Sequence, residues 1–233
     1  MKMEIGGLQK LSLIDYPGRL SCIIFTIGCN FRCSYCYNPS LVEGTCERIP
    51  QKEIFSFLRK RKGLLDGVII TGGEPTIHND LPDFIQRIKK MGFLVGLETN
   101  GTNPRMIKKL ISKRLIDYIA MDVKAPLKKY EEIVNVEVDL DKIKESIDVI
   151  MNSGIEYEFR TTCYPLLTKD DFIKIFKLIK GAKKYGIQQF LDKNTLMDTD
   201  LKPYPDKFLY ELKKISEEYV EGVEVRASGG IFG

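Results

Sequence analysis

Short apolar runs alternate along this chain with longer segments in which apolar residues recur every three or four positions. The runs fall near 20–26, 67–71, 93–98, 118–122, 157–161 and 188–191, are rich in Ile, Val and Phe, and end in polar residues or glycine. Runs of this length and composition predict six buried strands. The intervening segments carry helix signals. Asn103-Pro104 reads as an N-cap followed by a proline in the first turn. Thr168 and Asp171 approximate a capping box, with Asp in place of Glu. Asp80 is placed to cap a helix carrying Leu81, Phe84, Ile85 and Ile88. Leu140, Ile143, Ile147 and Ile150 form one apolar stripe. A last helix is expected near 206–220, after the Pro203-Tyr-Pro205 break. Strand–helix alternation implies a mainly parallel sheet with right-handed crossovers. Six units rather than eight predict a partial (β/α)6 barrel, with its functional face at the C-terminal ends of the strands.

Composition narrows this picture. The 233 residues suit one α/β domain spanning 1–233, and 43% hydrophobic content is enough for a sizeable core. The net charge of +4, from 36 basic and 32 acidic residues, is too balanced for a nucleic-acid-binding face, so no nucleic-acid partner is expected. No stretch of 18 apolar residues occurs and the first residues lack a signal-like apolar core, so no membrane association and no secretion are expected. Six cysteines, three of them clustered, do not read as a disulfide framework and fit a reducing cytoplasm.

The predicted strand ends gather the chemistry. Strand one delivers Cys29-Asn-Phe-Arg-Cys33-Ser-Tyr-Cys36, strand two Gly72-Gly73-Glu74-Pro75, and strand three Glu98-Thr99-Asn100. Strand four delivers Asp122-Val-Lys124 and strand five Arg160. The cysteine spacing gives an iron–sulfur cluster three thiolates, whereas clusters that only carry electrons are normally closed by four. The competing reading is a structural zinc site, which asks for a fourth ligand from Cys22, Cys46, Cys163 or the single histidine, His78. Gly72 and Gly73 let backbone approach a ligand closely, although a plain tight turn explains them equally well in isolation. Asp122 and Lys124, two apart on a strand, point to one side. Ordinary ion pairing at a barrel rim is the alternative for Glu98 and Lys124, and for Arg160 the alternative is pairing with Glu98 or Asp122.

The cysteine array with Tyr35 before its last member, followed by Gly-Gly-Glu-Pro, resembles the radical S-adenosylmethionine (SAM) superfamily. Within it the chain is similar to glycyl-radical-enzyme activases. The leader from Gly7 through Asp15, Pro17 and Gly18 is similar to that of activating components of anaerobic ribonucleoside-triphosphate reductase. The resemblance covers residues from about 6 to about 162. It implies an oxidoreductase with one [4Fe–4S] cluster on Cys29, Cys33 and Cys36 and SAM held near Gly72, Gly73, Glu74, Glu98, Asn100, Asp122, Lys124 and Arg160. The radical is carried by the cofactor, so no catalytic side chain is expected. A monovalent cation near Glu98 and Asp122 is a further implication, although the activases usually carry Asp where Glu98 stands. The resemblance also implies a glycyl-radical-enzyme partner, here an anaerobic ribonucleotide reductase, and a low-potential electron donor such as flavodoxin or ferredoxin. It places the leader, 1–19, at the barrel mouth with Asp15 against the partner, the barrel core at 20–191, and a C-terminal helix and tail at 192–233. For Asp15 the local alternative is a turn set by Pro17 and Gly18.

Two other functions fit parts of the pattern: a radical SAM enzyme acting on a small molecule, and a non-catalytic Fe–S electron-transfer protein. The leader argues against the first, and three ligands beside Gly-Gly-Glu-Pro argue against the second. The segment 188–191 is expected beside adenine, with no single residue singled out. His78 is expected in a loop without a catalytic role, Cys22 and Cys163 as small core hydrophobes, Cys46 as a loop thiol, and 226–233 as a frayed tail.

Overall fold

The computed structural model describes residues 3–192, 195–196 and 201–227. Its strands are β1 (Ile5–Ser12), β2 (Ser21–Thr26), β3 (Gly67–Gly72), β4 (Leu94–Thr99), β5 (Tyr118–Asp122), β6 (Glu156–Cys163), β7 (Lys184–Gln189) and β8 (Gly222–Arg226). They form one sheet in chain order, with β1 antiparallel to β2 and every later neighbour parallel. In β2 only Phe25 escapes full burial, and in β5 only Asp122 does. Strands buried on both faces read as near-continuous apolar runs, which is why these carry little polar alternation.

Parallel neighbours need crossovers. They are built from α1 (Pro39–Glu43), α2 (Gln51–Arg61), α3 (Leu81–Lys90), α4 (Pro104–Ser112), α5 (Tyr130–Val134), α6 (Leu140–Met151), α7 (Lys169–Leu178) and α8 (Asp206–Ser216). Their apolar stripes pack on one sheet face: Ile54 and Leu58 of α2, Ile85 and Ile88 of α3, and Ile143, Ile147 and Ile150 of α6 join Cys22, Ile24, Val68, Ile70 and Met121 in the main core. Alternate residues face the other way. Ile23, Ile69, Tyr118 and Ala120 form a small inner cluster with Tyr16. No helix among the described residues is long and apolar enough to cross a membrane.

The six predicted strands are β2 to β7, the last lying at Lys184–Gln189 instead of 188–191. The mainly parallel, partial-barrel architecture is the observed one, extended by a strand at each edge. β8 lies in the stretch expected to hold only a helix and tail; it is five residues long and incompletely buried, so its apolar signal is weak. β1 carries the leader into the sheet. Its register, Ile5 opposite Thr26 and Ser12 opposite Ser21, brings the turn after it to the start of β2. The leader's turn therefore sits at the end of the sheet away from the cysteine loop, not beside it at the rim. Asp80 does not cap α3; its carboxylate accepts from Met3 N at 2.7 Å and pins the start of β1 instead. The other two caps form as expected: Asn103 accepts from Met106 N, and Thr168 and Asp171 make a reciprocal box. The expected tail beyond 227 lies outside the described residues, and Arg226 belongs to β8.

Candidate functional site

The loop leaving β2 carries Cys29, Cys33 and Cys36 and is tied down at several points. Gly28 N donates to Leu41 O, Arg32 N to Val134 O, and the Arg32 guanidinium to the carbonyls of Cys29 and Phe31. The Asn135 side chain donates to Arg32 O and Ser34 Oγ, both at 2.9 Å. Phe31 and Tyr35 are buried, with Tyr35 against Tyr164 at 4.7 Å between ring centroids. The Tyr35 hydroxyl has no hydrogen-bond partner among the described residues.

The Gly72-Gly73 turn closes onto this loop. Gly73 N donates to Thr26 O and Glu74 N to Gly28 O, both at 2.8 Å. A Cβ on Gly73 would overlap the Gly28 carbonyl, and Gly72, at φ +111°, would drive one into the Thr26 backbone. The glycines thus serve close approach of two backbones, the turn and the cysteine loop. Glu74 is buried, and its carboxylate accepts from Thr76 N, Thr76 Oγ1, Thr99 Oγ1 and Asn100 N. Burial raises its pKa while those donors oppose the rise. Asn100 donates through Nδ2 to Asn30 Oδ1 at 2.9 Å, and its own oxygen accepts from Thr102. Glu74 and Asn100 are joints that lock the β3 and β4 turns to the cysteine loop, a role sequence reasoning did not assign them.

The charged residues meet on the inner face. Arg160 Nε donates to Asp122 Oδ1 at 2.9 Å, and its NH1 donates to Glu98 Oε1 at 2.6 Å. Glu98 also accepts from Thr71 Oγ1 at 2.8 Å, and Asp122 from Lys124 Nζ at 2.9 Å. Burial pushes the Asp122 carboxyl up, but Arg160 and Lys124 outweigh it and hold it well below the usual range. Burial likewise disfavours charge on Lys124 and Arg160, and their carboxylate partners, Asp122 foremost, overcome it. The pairing weighed for Arg160 as an alternative is the one observed. Its guanidinium neutralises the two carboxylates considered for a monovalent cation. Lys124 Nζ also lies 5.9 Å from the Tyr35 ring centroid, which places it beside the cysteine loop.

The three thiols suit a cluster. Burial pushes Cys29 up to about 12 and Cys33 up to about 11, so both stay protonated until a metal takes them. A cluster takes one thiolate per iron, and an all-thiolate donor set is a soft one. Cys22 and Cys163 are buried in the main core, as expected. Cys46 is half-buried, and His78 is buried, where desolvation lowers its pKa.

Asp15 sits away from the thiols. It accepts a short hydrogen bond from Ser12 and lines a cavity of about 380 Å³ with Arg160, Glu158, Gln188 and Arg226. Burial raises the Asp15 pKa. The cavity opens where the unpaired edges β1 and β8 face each other, and Leu13 and Ile14 stand exposed at its rim. Gln188 is the member of the expected adenine segment that reaches this cavity; Gln189 donates to Tyr204 O.

A family model described as the radical SAM superfamily matches residues 23–179. A Methanocaldococcus jannaschii protein named as a provisional glycyl-radical enzyme activating enzyme is 37% identical over 244 aligned positions, covering 100% of this chain and 99% of its own. The pyruvate formate-lyase-activating enzyme of Clostridium pasteurianum is 24% identical over 207 positions, 83% of each chain. Among solved structures, Streptococcus suis SuiB bound to S-adenosylmethionine superposes with a TM-score of 0.69 at 15% identity, over 86% of this chain and 48% of that one. This last likeness is one of fold.

Proposed function

The chain belongs to the radical SAM superfamily, and from that premise we propose that it is the activase of a glycyl-radical enzyme, abstracting a hydrogen atom from a backbone glycine of its partner. The reading is carried by the thiol loop locked against the Gly-Gly-Glu turn beside an inner face of paired charges. Cys29, Cys33 and Cys36 would hold the [4Fe–4S] cluster, and Lys124, Asp122, Glu98 and Arg160 would bind and orient SAM, with Gly72, Gly73, Glu74 and Asn100 framing the pocket. When bound, the cluster would supply one-electron reduction of SAM, the hard chemistry that hydrogen abstraction needs.

The chain's own contribution is to position and to exclude water. Aromatic burial around Phe31 and Tyr35 keeps the loop dry on its core side. Lys124 stays charged because Asp122 overcomes its burial, so a cation is fixed beside the thiols for a carboxylate to meet. The lateral cavity with exposed Leu13 and Ile14 at its rim fits a macromolecular substrate better than a small one, since exposed apolar groups beside a cleft mark interaction sites. Asp15 lines that cavity and is proposed to meet the partner. The leader's likeness favours an anaerobic ribonucleotide reductase as partner, with flavodoxin or ferredoxin as electron donor. Six free cysteines support a reducing, cytoplasmic setting for a single radical SAM domain. The cation reading for Glu98 and Asp122 has less support, because Arg160 already bridges them.

Anaerobic reconstitution with iron and sulfide, reduction, and EPR with and without SAM test this. A [4Fe–4S]+ signal that changes on adding SAM is expected, and Cys33→Ala should abolish it together with SAM cleavage. Retained cleavage in Cys33→Ala, or a signal indifferent to SAM, would sink the reading.

A further inference from the structure

Two Glu-x-Arg pairs share the inner face of the sheet, Glu158 and Arg160 on β6 and Glu224 and Arg226 on β8. Strand β7 lies between them. Its inward residue opposite Arg160 is Gly186, and a Cβ there would come 3.4 Å from Arg160 Cγ and 3.6 Å from the Arg226 guanidinium carbon. With no side chain in the way, Arg226 crosses β7 and forks onto Glu158, NH1 to Oε1 at 3.1 Å and NH2 to Oε2 at 2.9 Å. NH2 also reaches Glu224 at 3.0 Å. The Glu158 side chain is only 5% exposed, so this fork is its main neutralising contact.

Glu158 is also a competitor. Its Oε1 lies 4.0 Å from Arg160 Nε, the nitrogen that donates to Asp122 at 2.9 Å. A buried carboxylate that loses its partner takes the nearest cation or a proton, and the nearest cation is Arg160. We propose that Arg226 is a positioning residue: by holding Glu158 at the β8 edge, it keeps Arg160 committed to Asp122 and Glu98. This rests on the assignment of Arg160 and Asp122 to the SAM site. Through it, the edge strand lining the lateral cavity is coupled to the charges that would face SAM.

The test uses the reconstituted 233-residue chain and reads SAM affinity by equilibrium dialysis, with melting of each variant followed by circular dichroism. Arg226→Ala should weaken SAM binding about tenfold, a loss of one well-placed interaction, and Arg226→Lys should lie between it and the parent. The double variant Arg226→Met with Glu158→Gln removes both the latch and the competitor. It should fold, and it should bind within about threefold of the parent. Wild-type affinity in Arg226→Ala would overturn the proposal, and so would weak binding in a folded double variant. Arg160→Ala separates the two layers. If it binds SAM normally, the SAM-site assignment fails and the proposal falls with it; if it weakens binding while Arg226→Ala does not, the proposal alone fails.

Discussion

At the scale of single residues, the site is built from backbone proximity as much as from side-chain chemistry. Gly73 has no room for a Cβ because the Gly28 carbonyl occupies that space, and Gly28 immediately precedes Cys29, the first of the three clustered cysteines. Gly73→Ala must therefore shift either the turn or the thiol loop. Overpacking of this kind costs about 1–3 kcal/mol, and we expect a loss of that size in urea denaturation together with a fall in iron bound after reconstitution. A variant with unchanged iron content would mean the two backbones can separate without disturbing the thiols. The thiols, the two glycines and the Asp122–Lys124 pair were legible because each is a local pattern at a strand end. The roles of Glu74 and Asn100 as joints were not. Thr99, the partner of Glu74, and Asn30, the partner of Asn100, lie 25 and 70 residues away in sequence, and only folding brings them together.

Elements with strong local signals were legible as well. The box at the start of α7 is complete, and its Asp171 carries a second load. Asp171 accepts from Lys129 Nζ at 2.8 Å as well as from Thr168 N and Oγ1. Burial works to raise this carboxyl, but Lys129 and Thr168 prevail and hold it at about 2, below its ordinary 3.8. A folded value below the unfolded one means the stabilisation is complete above about pH 4 and is lost as pH falls toward 2. Asp171→Asn should cost about 1 kcal/mol near neutrality, as lost caps do. It should also flatten the fall in urea midpoint between pH 4 and 2; an unchanged slope would show that other carboxylates govern acid unfolding there. β1 and β8 were not legible, and for one physical reason. Both are edge strands with partly exposed residues, so neither carries the continuous apolar run that marked the interior strands.

At the scale of the whole molecule, an open barrel must close its lower end with something, and here the leader does it. The turn after β1 inserts Tyr16 among Ile23, Ile69 and Tyr118, the ring stacking on Tyr118 at 5.4 Å with 28° between planes. Gly67, the first residue of β3, leaves the space: a Cβ there would stand 2.8 Å from the Tyr16 ring. The same turn then presents Asp15 to the cavity. One residue thus fixes both the inner core and the edge where a partner would approach. Tyr16→Ala should cost about 3 kcal/mol or more, the range for deleting a buried aromatic ring, whereas Tyr16→Phe keeps the plug and should stay near the parent at neutral pH. Burial, with Asp117 and Glu156 adding to it, pushes the Tyr16 phenol up to about 12 from 10.0. The folded state therefore holds this proton more tightly, and its stabilisation is full below pH 10 and lost as pH rises toward 12. Tyr16→Phe should lose less stability than the parent across that alkaline window in denaturant titrations. If Tyr16→Ala unfolds at the parent's urea midpoint, the leader is a passive strap and the lower end of the barrel is closed by Ile23, Ile69 and Tyr118 alone.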